Sequence, residues 1–100
     1  MSLDVKIDGN EVYCIIEGRL DTAAAVQFSQ EMTPLLDNAD KTIVLDCASL
    51  EFISSSGLRH FLTLRKMTLA KGGKVVIKNV NDDIKQVFTI TGFNTLFEFC

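Results

Sequence analysis

Short β-branched apolar runs alternate along this chain with stretches whose apolar residues recur at helical spacing. Val5 and Ile7 alternate with polar neighbours. Beyond an Asp8-Gly9 turn signal, Val12, Cys14 and Ile16 alternate in the same way, so the two runs predict a hairpin. Tyr13 and Ile15 make the other face of the second run apolar too, which predicts a strand buried on both sides. Asp21 or Thr22 can cap a helix that begins just beyond this strand. In that helix, Ala25, Phe28, Met32, Leu35 and Leu36 are spaced by three, four, three and one, predicting a span near 22–37 that Pro34 kinks or ends. Ile43, Val44 and Leu45 read as a central strand. Leu58, Phe61, Leu62, Arg65 and Leu69 mark a second helix near 56–71, with the Arg65 stem snorkelling outward and Gly72-Gly73 ending the helix. "KVVIKNV" is another central strand. A third helix, near 82–91, has Asn81 as its cap, Asp82 and Asp83 in its first turn and Gly92 past its end, and "LFEFC" is a last short strand.

The resulting order is β-β-α-β-α-β-α-β. It predicts an α/β fold in which a mixed sheet of four or five strands carries helices packed on it. With 100 residues and no linker, repeat or low-complexity segment, residues 1–100 read as one domain.

Composition narrows the function classes. The net charge is −3, with no clustered basic patch, which is unlike a nucleic-acid binder. No apolar stretch approaches the roughly 20 residues that span a bilayer, and "MSLDVKIDGNE" lacks the pattern of a signal peptide. Cys14, Cys47 and Cys100 are odd in number and far apart, with no C-x-x-C pair, so neither zinc nor a disulfide framework is expected. Cys14 and Cys47 read as small buried hydrophobes in a reducing cytosol.

The parts of an enzyme are sparse. His60, the single histidine, falls beside Phe61 at the border of an apolar stripe, as a packing or surface residue does. No phosphate loop, dinucleotide fingerprint, nucleophile elbow or zinc-protease motif is present, so neither cofactor nor metal is expected. Asp46 ends a central strand, where α/β sites gather, but a lone carboxylate there can simply bond to loop amides.

The stretch "EFISSSGLRHF" stands apart. It is a strand-to-helix junction, and one serine suffices as a cap. Three serines leave two unexplained. A phosphate at such a junction meets free N–H donors and the positive end of the helix dipole. It adds about −1.5 to −2 charges to one exposed spot without unfolding the domain.

"TIVLDCASLEFISSSGLRHF" resembles the signature of the STAS domain, specifically the bacterial anti-sigma factor antagonists: an apolar strand ending in Asp, a spacer, then Asp-Ser-Ser-Gly-Leu. "EGRLDTAAA" resembles the family's second signature, Gly-x-Leu-Asp entering the first helix, and "GGKVVIKNVNDDIKQVFTITGFNTLFEF" resembles the remainder. The resemblance covers nearly the whole chain in the same order. It implies a non-enzymatic regulator of transcription in the bacterial cytoplasm that binds an anti-sigma factor which is also a serine kinase, and so frees the sigma factor. The kinase inactivates its antagonist by phosphorylating the first serine of the Ser-Ser-Gly pair, here Ser55, followed by Ser56 and Gly57. A serine phosphatase reverses this, and ATP and magnesium belong to the partner. The Gly-x-Leu-Asp aspartate corresponds to Asp21, near the acceptor.

The chain departs from the family in three places. Ser54 stands where the family carries Asp, which makes Ser54 and Ser56 rival acceptors. Arg59 stands where many members have Gly, and a further C-terminal helix is expected to be absent. The partner surface is accordingly expected at Ser54, Ser56, Gly57 and Arg59, with Asp21 and Thr22 beside it. Two other functions compete with the partner switch. One is an unswitched STAS subunit of a transporter or stress-signalling assembly. The other is a small hydrolase using Ser55 or Ser56, for which the motif supplies no base.

Overall fold

The computed structural model describes all residues, Met1–Cys100. Strands β1 (Ser2–Asp8) and β2 (Glu11–Leu20) form the expected antiparallel hairpin, with Asp8 opposite Glu11 and the turn at Gly9 and Asn10. Helix α1 (Thr22–Glu31) and the short α2 (Thr33–Asp37) replace the single helix read over 22–37. Pro34 is the reason. It lies in the first turn of α2, where a missing N–H costs nothing. Next come β3 (Thr42–Asp46), β4 (Leu50–Ile53), α3 (Ser55–Lys71), β5 (Lys74–Lys78), α4 (Asp82–Ile90), a 3₁₀ turn at Phe93–Thr95 and β6 (Glu98–Phe99).

The sheet runs β1-β2-β3-β5-β6 and is mixed, with β1 antiparallel and the others parallel. Sequence periodicity predicts at most five strands. The sixth, β4, sits off this line and pairs in parallel with the far end of β2. β2 is long enough for both: Glu11–Ile15 pair with β3, and Gly18–Leu20 pair with β4 across a register shift.

One face of the sheet carries the core. Val12, Cys14 and Ile16 of β2, Ile43 and Leu45 of β3, and Val75 and Ile77 of β5 meet Phe28 of α1, Leu58, Phe61 and Leu64 of α3, and Ile84 and Phe88 of α4. Phe61 and Phe88 lie with ring centroids 6.2 Å apart, and Phe88 meets Phe97 edge-on at 5.7 Å. The opposite face has no helix. There Tyr13 and Ile15 are only half-buried, so β2 is covered fully on one side and not on both.

Helix α3 is oriented differently from the stripe read in the sequence. Its buried line is Gly57, Leu58, Phe61, Leu64 and Thr68. Leu62 is half-buried outside the core cluster, and Leu69 is 61% exposed. Both stripes share Leu58 and Phe61 at helical spacing, and packing against α1 and β5 selects between them. Arg65 stays half-buried because its Nε donates to the Leu96 carbonyl at 2.6 Å. Gly72 ends α3 at φ 83°, a left-handed conformation suited to glycine. Gly73 does something else: a Cβ there would overlap the carbonyl oxygens of Ala39 and Lys41.

Candidate functional site

Two strand-to-helix junctions build the site. Asp21 follows β2 in extended conformation and caps α1, its Oδ1 accepting from the Ala24 amide at 2.8 Å. Ser54 follows β4 likewise and caps α3, its Oγ accepting from the Gly57 amide at 3.1 Å. The residues before the caps, Leu20 and Ile53, are register partners, and the Ser54 amide donates to the Leu20 carbonyl at 2.8 Å. The two caps are therefore neighbours, and two helices start side by side at the carboxyl ends of adjacent parallel strands. That is where an open α/β sheet presents a binding site.

Gly57 makes this close approach feasible. A Cβ at its position would lie 2.9 Å from Leu20 Cγ and Cδ2 and 3.1 Å from Ile53 Cγ1. Only a residue without a side chain lets the first turn of α3 rest on the ends of β2 and β4.

The serine run divides by role. Ser54 is committed as the cap. Ser55, the first residue of α3, is exposed and its hydroxyl makes no hydrogen bond within the chain; Ser56 is half-buried. The first amides of α3 have no helical acceptors, as at any helix start, and Ser54 Oγ takes that of Gly57. Arg59 is exposed one turn further on, and Thr22 is exposed at the start of α1. The structure thus brings all seven residues, Asp21, Thr22, Ser54, Ser55, Ser56, Gly57 and Arg59, to the two junctions or the turn above them.

The other candidates have structural explanations. The His60 ring stacks obliquely on Phe28, with centroids 6.1 Å apart, as part of the α1–α3 contact. Asp46 accepts from the Tyr13 hydroxyl at 2.6 Å, the Ala48 amide at 3.1 Å and Asn79 Nδ2 at 3.3 Å. Partial burial alone would raise the pKa of this carboxyl. The bonds from Tyr13, Ala48 and Asn79, with the charge of Lys78, outweigh that and hold it below the usual range. The bond to Asp46, then desolvation, pushes the Tyr13 phenol up. Sequence reading missed this cluster, because Tyr13 and Asn79 each lie 33 residues from Asp46. Burial pushes the Cys14 and Cys47 thiols up to about 12. No three His, Cys, Asp or Glu side chains converge as metal ligands.

The family model for the STAS domain matches residues 2–100. The chain belongs to the STAS domain family. BtrV of Bordetella bronchiseptica, assigned to the anti-sigma factor antagonists, is 34% identical over 92 residues, which are 92% of this chain and 78% of that protein. The anti-sigma-B factor antagonist of Bacillus subtilis is 28% identical over 99 residues, covering 98% and 89%. Among solved structures, the unphosphorylated anti-sigma factor antagonist SpoIIAA superposes with a TM-score of 0.81 at 22% identity, covering 99% and 88%. The phosphorylated form of the Bacillus SpoIIAA gives 0.73 at 20% identity, covering 99% and 91%. These likenesses establish the STAS fold, and the named relatives place the chain among anti-sigma factor antagonists. No helix is long and apolar enough to cross a membrane.

Proposed function

We propose that this protein binds an anti-sigma factor that is also a serine kinase, thereby releasing the sigma factor in the bacterial cytoplasm, and that phosphorylation of Ser55 switches it off. The observation that carries this reading is the division of the serine run: Ser54 is held as a cap while Ser55 offers an exposed, unbonded hydroxyl at the start of α3. The chain acts as a binding partner, not an enzyme. ATP and magnesium belong to the kinase, and a serine phosphatase restores the active form. Asp21, Thr22, Ser56, Gly57 and Arg59 surround the acceptor as the contact surface.

The switch needs no refolding. In the free protein, the N-terminus of α3 offsets part of the phosphate's cost by about 0.3–1 kcal/mol. At the interface, the same charge of about −1.5 to −2 must be desolvated or repelled. A loss of about 1.4 kcal/mol there already weakens binding tenfold.

Affinity capture with wild-type, Ser55→Ala and Ser55→Asp baits tests the reading. Wild type and Ser55→Ala are expected to retain a kinase of the anti-sigma class, and Ser55→Asp to retain less. With that kinase and ATP, mass spectrometry is expected to place the phosphate on Ser55. Phosphate confined to Ser54 or Ser56 would refute the site. No phosphate on any of the three would favour an unswitched STAS subunit.

A further inference from the structure

Two leucines of the stripe that sequence periodicity assigned to the core, half-buried Leu62 and exposed Leu69, lie instead on a second line of residues along α3. Starting at Ser55, the residues Arg59, Leu62, Lys66 and Leu69 come at spacings of four, three, four and three. This is the heptad rhythm with which one helix lies along another. At 1.5 Å per residue the stripe runs for about 21 Å. Its two leucines are not spent on this chain's own core: Leu69 is 61% exposed, and Leu62 lies outside the core cluster.

The charge on this helix is one-sided. Ser54–Lys71 contains Arg59, Arg65, Lys66 and Lys71 and no acid, in a chain of net charge −3. Arg65 is engaged with the Leu96 carbonyl. Arg59 and Lys66 are in no ion pair, since the single salt bridge of the molecule joins Lys74 and Glu98.

We propose that Arg59, Leu62, Lys66 and Leu69 form a docking seam for an acidic amphipathic helix of a partner protein. Leucine-type residues of such a helix would meet Leu62 and Leu69, while its carboxylates would meet Arg59 and Lys66. A second copy of α3 fits poorly, because a two-fold pairing sets the same unpaired cations against each other. The solvent face of α1 supplies little acid either, since its one charged residue is Glu31 at the carboxyl end. A membrane surface asks for a broader apolar face than two leucines. Ser55 lies at one end of the seam, so a phosphate there would repel the incoming acidic helix. That regulatory role rests on the partner-switch reading, whereas the seam rests on α3 alone.

The test uses the full chain, labelled with ¹⁵N, and two synthetic helical peptides of about 18 residues, ~27 Å long. One carries leucines at heptad spacing flanked by glutamates. The other replaces each glutamate by lysine. The acidic peptide is expected to shift the amide resonances of Arg59, Leu62, Lys66 and Leu69, and the basic peptide to leave them unmoved. Lys66→Glu and Leu69→Glu are each expected to weaken binding about tenfold or more, and Lys85→Glu on α4 to leave it unchanged. Unchanged resonances elsewhere verify that the variants fold, which their exposed positions favour. Three results would overturn the seam: no α3 shift with the acidic peptide, equal binding of both peptides, or concentration-dependent α3 shifts in the protein alone, which would assign the face to a second copy. None of these bears on whether Ser55 is phosphorylated, so the partner-switch reading stands or falls separately.

Discussion

Alanine substitution at Ser54 and at Ser55 separates the helix cap from the unbonded serine by stability alone. Ser54 Oγ is the acceptor for the Gly57 amide, and Gly57 is buried against Leu20 and Ile53. Ser54→Ala leaves that amide without its partner in a place water reaches poorly. Losing an N-cap costs about 0.5–2 kcal/mol, typically ~1, and burial of the orphaned donor favours the upper half of that range. For a domain of this size, each 1 kcal/mol lowers Tm by about 4–8 °C. Ser55→Ala removes an exposed hydroxyl with no partner, and alanine is the better helix former, so its effect should stay within about ±0.5 kcal/mol. Ser54→Asp keeps the acceptor and gains about 0.3–1 kcal/mol from the helix dipole. It also sets a second carboxylate beside Asp21, and two such charges on adjacent strand ends about 5 Å apart repel by ~0.8 kcal/mol in water. Ser54→Asp should therefore melt near wild type at neutral pH. Thermal unfolding followed by circular dichroism decides the order. A Ser54→Ala variant within about one degree of wild type, or a Ser55→Ala variant equally destabilised, would refute the assignment of Ser54 as the cap.

The packing and the titrating groups make further outcomes testable. Gly73→Ala should cost more in urea unfolding than Gly72→Ala. The first meets backbone oxygens of Ala39 and Lys41, toward the upper end of about 1–3 kcal/mol for overpacking, while the second meets only the φ of 83°, about 1–2 kcal/mol. The lowered pKa of Asp46 means that its bonds stabilise the fold above the unfolded carboxyl value of about 3.9 and that this contribution is lost as pH falls through the lower folded value. The stability gap between wild type and Tyr13→Phe should accordingly shrink between pH 7 and about pH 2, and a gap constant over that range would contradict the account. With burial pushing Cys14 and Cys47 up to about 12 and Cys100 exposed, a thiol reagent at neutral pH should label one cysteine in the native chain and all three in denaturant. Rapid labelling of more than one would overturn this.

Local chemistry made much of the architecture legible. Asp21, Ser54 and Asn81 cap the helices that begin after them because a short side-chain oxygen can reach an orphan amide two or three residues on. The interruption at Pro34 and the stop at Gly72 were legible for the same reason: each acts on the dihedrals or hydrogen bonds of its immediate neighbours. The candidate site was legible as a motif but not as a place. That Asp21 and Ser54 stand together depends on the pairing of Leu20 with Ile53, which joins segments distant along the chain.

From the sequence came five of the six strands, the starts of α1, α3 and α4, and the place of the serine run at a helix start. Those properties come from dihedral preference, periodicity and short-range hydrogen bonds. Only the tertiary structure decided that Leu50–Ile53 form a strand, since four residues without alternation become one by pairing with the end of β2. It also decided that Gly73 must clear the Ala39–Lys41 backbone and that Tyr13 and Asn79 hold Asp46. It decided the facing of α3 in the same way. A repeat of 3.6 residues allows two overlapping stripes through Leu58 and Phe61, and contact with α1 and the sheet buries Leu64 and Thr68 while leaving Leu62 outside the core and Leu69 in solvent.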